Sequence, residues 1–85
     1  MAEEKVGTVI KYFSKISVAA IRMEGSLSVD DTIHIQGHTT DFSQKVGSMQ
    51  IENENVEHAG PGDDIGIQVQ DRVREHDIVY KVTDE

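Results

Sequence analysis

The chain has 85 residues, with 8 Lys and Arg against 16 Asp and Glu, a net charge of −8 and no cysteine. A chain this short makes one domain that buries about 60–65 % of its unfolded surface, which leaves no room for a second catalytic domain and little for a deep pocket. Disulfides and zinc–thiolate sites are excluded with cysteine, and 36 % hydrophobic with 28 % charged residues argues for a soluble, folded chain over a disordered one.

No apolar run approaches the roughly 18 residues of a membrane span, and Met1–Lys5 lacks the basic-then-apolar order of a signal peptide. A cytoplasmic protein is expected. The whole of 1–85 is expected to be a single domain, frayed only at 1–4 and 83–85.

In chain order, period-two alternation dominates. Val6, Thr8, Ile10 and Tyr12 share one face of a first strand, with Gly7, Val9, Lys11 and Phe13 on the other. The turn Ser14–Ser17 leads to a second strand, Val18–Met23. Glu24–Asp31 is rich in turn formers and reads as a loop. Thr32–Gln36 is a third strand, and Asp41–Glu52 reads as one long fourth strand. After the polar turn at 53–55, Val56–Ala59 approaches the corner Gly60-Pro61-Gly62-Asp63, and Asp64–Val69 is the next strand. Gln70–Asp77 is a polar connector, and Ile78–Val82 closes the set. No internal repeat or linker interrupts it.

Six or seven short strands at this spacing predict an all-β fold, and closure into a small antiparallel barrel removes the edges that so small a sheet exposes. The predicted interior includes Val6, Ile10, Ala19, Ile21, Ile33, Ile35, Val46, Ile65, Ile67 and Val79. At the corner, Pro61 presets φ and Gly62 supplies the positive φ of a type II turn. Gly7, Gly47 and Gly66 fall inside strands, where bulges or close backbone crossings at barrel corners are expected.

Five motifs in order resemble the domain 2 β-barrel of translational GTPases of the elongation factor Tu kind. They are V-G-T-V at 6–9, G-S-L-S-V-D-D-T-I-H-I at 25–35, V-G-S-M-Q-I at 46–51, A-G-P-G-D-D-I-G-I at 59–67 and V-R-E-H-D-I-V at 73–79. Asp30 and His76 stand where that family has glycine, and both residue types tolerate the left-handed conformation. The resemblance implies a translation elongation factor-like binding module. No Gly-x-x-x-x-Gly-Lys-Ser/Thr loop is present, so neither GTP hydrolysis nor a bound nucleotide is expected.

Residues 5–22 hold Lys5, Lys11, Lys15 and Arg22 and none of the sixteen acids. The resemblance therefore points to Lys11, Tyr12, Phe13, Lys15 and Arg22 as the contact, lysines meeting phosphates and rings meeting bases. The partner so implied is tRNA, ribosomal RNA or a ribonucleoprotein. The alternative is a protein–protein interaction module beside a separately encoded enzyme. No catalytic residue, metal ligand or cofactor is expected, and no membrane partner. His34, His38, His58 and His76 read as structural, and the acidic pairs Asp30-Asp31 and Asp63-Asp64 as turn caps.

Overall fold

The computed structural model describes residues 2–83. It contains ten strands: β1 (Ala2–Phe13), β2 (Val18–Met23), β3 (Leu27–Ser28), β4 (Thr32–Gln36), β5 (Asp41–Lys45), β6 (Met49–Ile51), β7 (Glu54–Val56), β8 (His58–Ala59), β9 (Asp64–Gln68) and β10 (Ile78–Thr83). Eight pair antiparallel in one sheet, in the order β5-β4-β10-β1-β2-β9-β6-β7, and β3 pairs with β8 in a separate ladder. Among the described residues no helix is long and apolar enough to cross a membrane.

The alternation places Ala19 and Ile21 of β2, Ile33 and Ile35 of β4, Ile65 and Ile67 of β9 and Val79 of β10 in one core with Val6, Val9, Met23, Leu27, Val46, Met49, Val69 and Val73. Ile10 is the exception to the predicted interior. The β1–β2 register shifts between Val9 and Lys11, and the extra residue of such a bulge turns the next side chain outward. Val9 is therefore buried and Ile10 is 37 % exposed.

The sheet is not closed into a barrel. β5 and β7 are its two edges, and the predicted closed antiparallel barrel is replaced by a curled, open sheet. The curl is nevertheless strong. β5 and β9 stand five places apart in the sheet order, about 24 Å if flat. Yet the side chain of Gln44 in β5 donates to Gln68 O at 2.8 Å and accepts from Gln70 N at 2.7 Å. One buried amide thus imitates a peptide unit across the seam where a ladder would close a barrel.

The long fourth strand divides because Val46 leaves the ladder. Its N–H donates to Asp31 O and its carbonyl accepts from Asp30 N, and the chain bends at Gly47 and Ser48 before β6. The loop at 24–31 contains β3, and the polar connector buries Val73. Of the ends expected to fray, Ala2–Glu4 and Thr83 are paired, in the register Ala2↔Thr83 to Glu4↔Lys81. Met1, Asp84 and Glu85 lie outside the described residues.

One turn recurs three times, a repeat that the alternation does not reveal. In Ser28–Asp31, Gly60–Asp63 and Arg74–Asp77 the last residue is an aspartate. Its N–H donates to the carbonyl three residues back, and its carboxylate accepts from that same residue's N–H at 2.8–2.9 Å. The residue before each aspartate has positive φ: Asp30 at 76°, Gly62 at 89° and His76 at 75°. Each turn launches a strand (β4, β9 or β10) whose second position beyond the aspartate is buried: Ile33, Ile65 or Val79. The type II geometry expected at Pro61-Gly62 is present.

Candidate functional site

The outer face of β2, β9 and β6 carries an open groove. Alternation sends Ala19, Ile21 and Met23 inward, so Val18, Ala20 and Arg22 face outward. The same rule turns Asp64, Gly66 and Gln68 outward on β9. Ala20 and Gly66 are cross-strand partners, and Gly66 also faces Gln50 of β6. Three neighbouring strands thus meet over two very small side chains, leaving a depression of about 440 Å³. A Cβ on Gly66 would lie 3.4 Å from Val18 Cγ1, an ordinary contact, so the expected close crossing at Gly66 is absent.

Two hairpin turns wall this groove. At one end the β1–β2 turn presents Phe13, 41 % exposed, and Ile16, 61 % exposed. At the other, Glu52 and Asn53 form the two-residue β6–β7 turn, both with positive φ, 51° and 67°. That is the pattern of a type I′ hairpin, which favours Asn and Gly at these positions. Asp64 also lines the groove and pairs with Arg22 at 3.2 Å, both side chains more than half exposed.

Of the residues expected to form one basic tip, Lys11, Phe13 and Lys15 lie together at the β1–β2 turn, whereas Tyr12 turns toward the core and Arg22 is placed apart from them. Lys11 lies over the Phe13 ring, 5.2 Å from its centroid, and Lys15 is exposed in the turn. Tyr12 packs against the core, since the bulge at Ile10 puts it on the inner face. Arg22 sits farther along the hairpin, opposite Thr8, and is engaged by Asp64. Gly60, Pro61, Gly62 and Asp63 form the corner, where Gly62 N donates to Met23 O and Met23 N to Asp63 O, tying it to the end of β2. The groove was missed from sequence because its floor is made by small residues on different strands. Only the surplus of apolar residues at 13, 16 and 18 hinted at it.

Elsewhere the polar groups pair structurally. The His34 ring, 16 % exposed, joins Asp41 Oδ1 through Nε2 at 2.5 Å and Glu3 Oε1 through Nδ1 at 3.0 Å, and lies beside Tyr80. The hydrogen bond to Asp41 and then that to Glu3 hold its pKa above the usual 6.5 against the opposing effect of burial, and the negative charges of the two carboxylates add to the rise. Ser28 Oγ lies 2.9 Å from His58 Nδ1. Among the described residues no carboxylate hydrogen-bonds the other nitrogen of His58, so the pair lacks the orienting group of a hydrolytic triad. Nor do the described residues contain a group of three or more His, Asp or Glu arranged to hold a metal ion.

This small all-β domain, a curled antiparallel sheet with aspartate-closed corners, is a known architecture. It superposes on the C-terminal domain of a protein assigned to the U32 peptidases in Geobacillus thermoleovorans with a TM-score of 0.88 at 17 % identity, covering 94 % of this chain and 93 % of that one. A selenomethionine variant of that domain gives 0.85 at 16 % identity, covering 89 % and 96 %. At such identity the likeness is one of fold. No protein-family model matches the chain.

In sequence it is 40 % identical over 77 residues to an uncharacterized protease of Methanocaldococcus jannaschii, across 89 % of this chain and 19 % of that protein. It is 42 % identical over 78 residues to a collagenase of Porphyromonas gingivalis, across 89 % and 22 %. The chain spans about a fifth of the length of the curated relatives it matches.

These relatives overturn the resemblance to translational GTPases, and with it the translation-factor-like, RNA-binding function that the resemblance implied. The physical reason lies in the motifs. Three of the five contain the recurring corner, in which a positive-φ residue precedes an aspartate and then an inward apolar residue. They encode the turns of a curled sheet and carry no information about what the sheet binds.

Proposed function

We propose that this chain is a non-catalytic accessory module of peptidase chemistry that holds polypeptide. The observation that carries the reading is the exposed apolar groove walled by Phe13 and Ile16, on a domain whose sequence relatives are named protease and collagenase. Exposed apolar side chains that converge on a concavity mark binding surfaces more often than scattered ones do. The incomplete Ser28–His58 pair supports a binding role over a hydrolytic one.

The test uses the purified chain with immobilised gelatin as unfolded polypeptide. Retention without cleavage of a fluorescent gelatin substrate is the expected result. Hydrolysis that disappears in Ser28→Ala would replace this reading with a catalytic one, and no retention at all would remove it.

A further inference from the structure

We propose that the groove between the β1–β2 and β6–β7 turns receives one apolar side chain of an extended polypeptide together with an adjacent lysine or arginine. The proposal rests on the polypeptide-holding reading and assigns it a location and a ligand chemistry.

Size selects the occupant first. At about 440 Å³ the groove falls near the lower end of ligand sites, about 300–1,000 Å³, and accommodates one or two residues. A stable pair of folded subunits buries about 800 Å² on each partner. Among the described residues the large apolar side chains classed as exposed are Ile10, Phe13 and Ile16, and only the last two line the groove. That is too little for a second copy of this chain and enough for a single side chain. The apolar part of the ligand would lie over Ala20 and Gly66, between Ile16 and Val18 on one side and Gln50 on the other.

Charge selects the neighbour. The lining includes the carboxylates of Glu52 and Asp64 and no lysine or arginine. Asp64 already has Arg22, whereas Glu52 has no ion-pair partner among the described residues. Backbone conformation points the same way. Glu52 occupies a left-handed position that asparagine or glycine fills at lower cost, and strained positions of this sort gather at binding sites. With Ser17 and Asn53, the two turns flanking the groove hold three of the non-glycine positive-φ residues.

The experiment follows labelled peptides by fluorescence anisotropy, using a single Leu-Arg pair in a Gly-Ser background and the Leu-Glu and Ser-Arg counterparts. Gelatin retention is measured in parallel. The parent chain should prefer Leu-Arg. Ile16→Ser removes an exposed wall and Gly66→Ala raises the floor by a methyl group that Val18 accommodates, so both should fold as the parent does. Each should weaken Leu-Arg binding about tenfold, the equivalent of about 1.4 kcal/mol. Glu52→Lys should transfer the preference to Leu-Glu.

Gelatin and Leu-Arg binding that are unchanged in Ile16→Ser and Gly66→Ala would overturn the groove while leaving the polypeptide-holding reading in place. Failure of the parent chain to retain either gelatin or peptide would remove both. Self-association abolished by Ile16→Ser would overturn the proposal in favour of a second copy in the groove.

Discussion

Gly37→Ala should be among the most destabilising single-methyl changes in the chain, because the space is taken by a buried carboxylate. A Cβ on Gly37 would overlap the Asp77 side chain, 2.5 Å from its Cγ. Asp77 is 4 % exposed and closes the third aspartate turn through Arg74 N at 2.8 Å. Either the carboxylate gives up that bond, at about 1.5–3 kcal/mol for a hydrogen bond to a charged group, or the end of β4 shifts and loses packing. The reduced freedom of the unfolded chain returns only about 0.4–1 kcal/mol. A net loss of about 0.5–2.6 kcal/mol is expected, against a total stability of about 4–13 kcal/mol for this length. The melting temperature should fall by roughly 4–8 °C per kcal/mol.

A double-mutant cycle with Asp77→Ala, read by urea denaturation with far-UV circular dichroism, isolates the cause. Once the carboxylate is gone, Gly37→Ala should cost less than about 0.5 kcal/mol. Equal costs in both backgrounds would refute the steric argument and place the effect in the backbone of Gly37 itself.

Gly62→Val should destabilise by about 1–3 kcal/mol through strain at φ 89°, whereas Gly60→Ala, with open space at its Cβ, should leave the urea midpoint nearly unchanged. Gln44→Ala removes both seam hydrogen bonds. It should cost about 1–3 kcal/mol and speed hydrogen exchange at the Gln70 amide more than at Ile21 in the sheet centre. His34 makes stability pH-dependent in a defined direction. Its pKa is raised in the folded state, so the added stability is fully present below the unfolded value of about 6.5 and is lost as pH rises through the folded value. His34→Gln should therefore lower the urea midpoint in acid and converge on the parent in alkali; a constant offset across the range would refute the assignment.

The strands were legible because inward and outward residues alternate: Ala19/Ile21, Ile33/Ile35 and Ile65/Ile67 all face the core as their spacing predicts. Local chemistry also identified the Pro61-Gly62 corner, while the positive φ at Asp30 and His76 was foreshadowed only by the glycines that the resembled family carries there. The fate of Ile10 was not legible, since a bulge is set by the partner strand and the main-chain bonds of Val9 with His76 and Asp77. Nor could sequence reveal that Val46 would bond to the Asp30–Asp31 corner and split a strand in two. The candidate site was least legible of all. Ala20 and Glu52 carry no signal until three strands bring them together, and Gly66 drew notice only as a glycine inside a strand. Of the basic residues that drew notice first, Lys11 lies over Phe13, Lys15 in a turn and Arg22 in an ion pair.

The pairing of Ala2 with Thr83 also determines how the domain would respond to force. With β1 entering and β10 leaving side by side, tension applied through the two ends pulls antiparallel neighbours apart at one point, loading their hydrogen bonds in succession. The sheet would unzip from Ala2–Thr83 inward through Glu3–Val82 and Glu4–Lys81. Glu3 leaves with the first of these pairs, releasing one arm of the His34 bridge before the core around Val6 and Val79 is disturbed. A domain held at both ends would thus yield gradually at its margin, and a transverse load on the groove would meet the intact sheet.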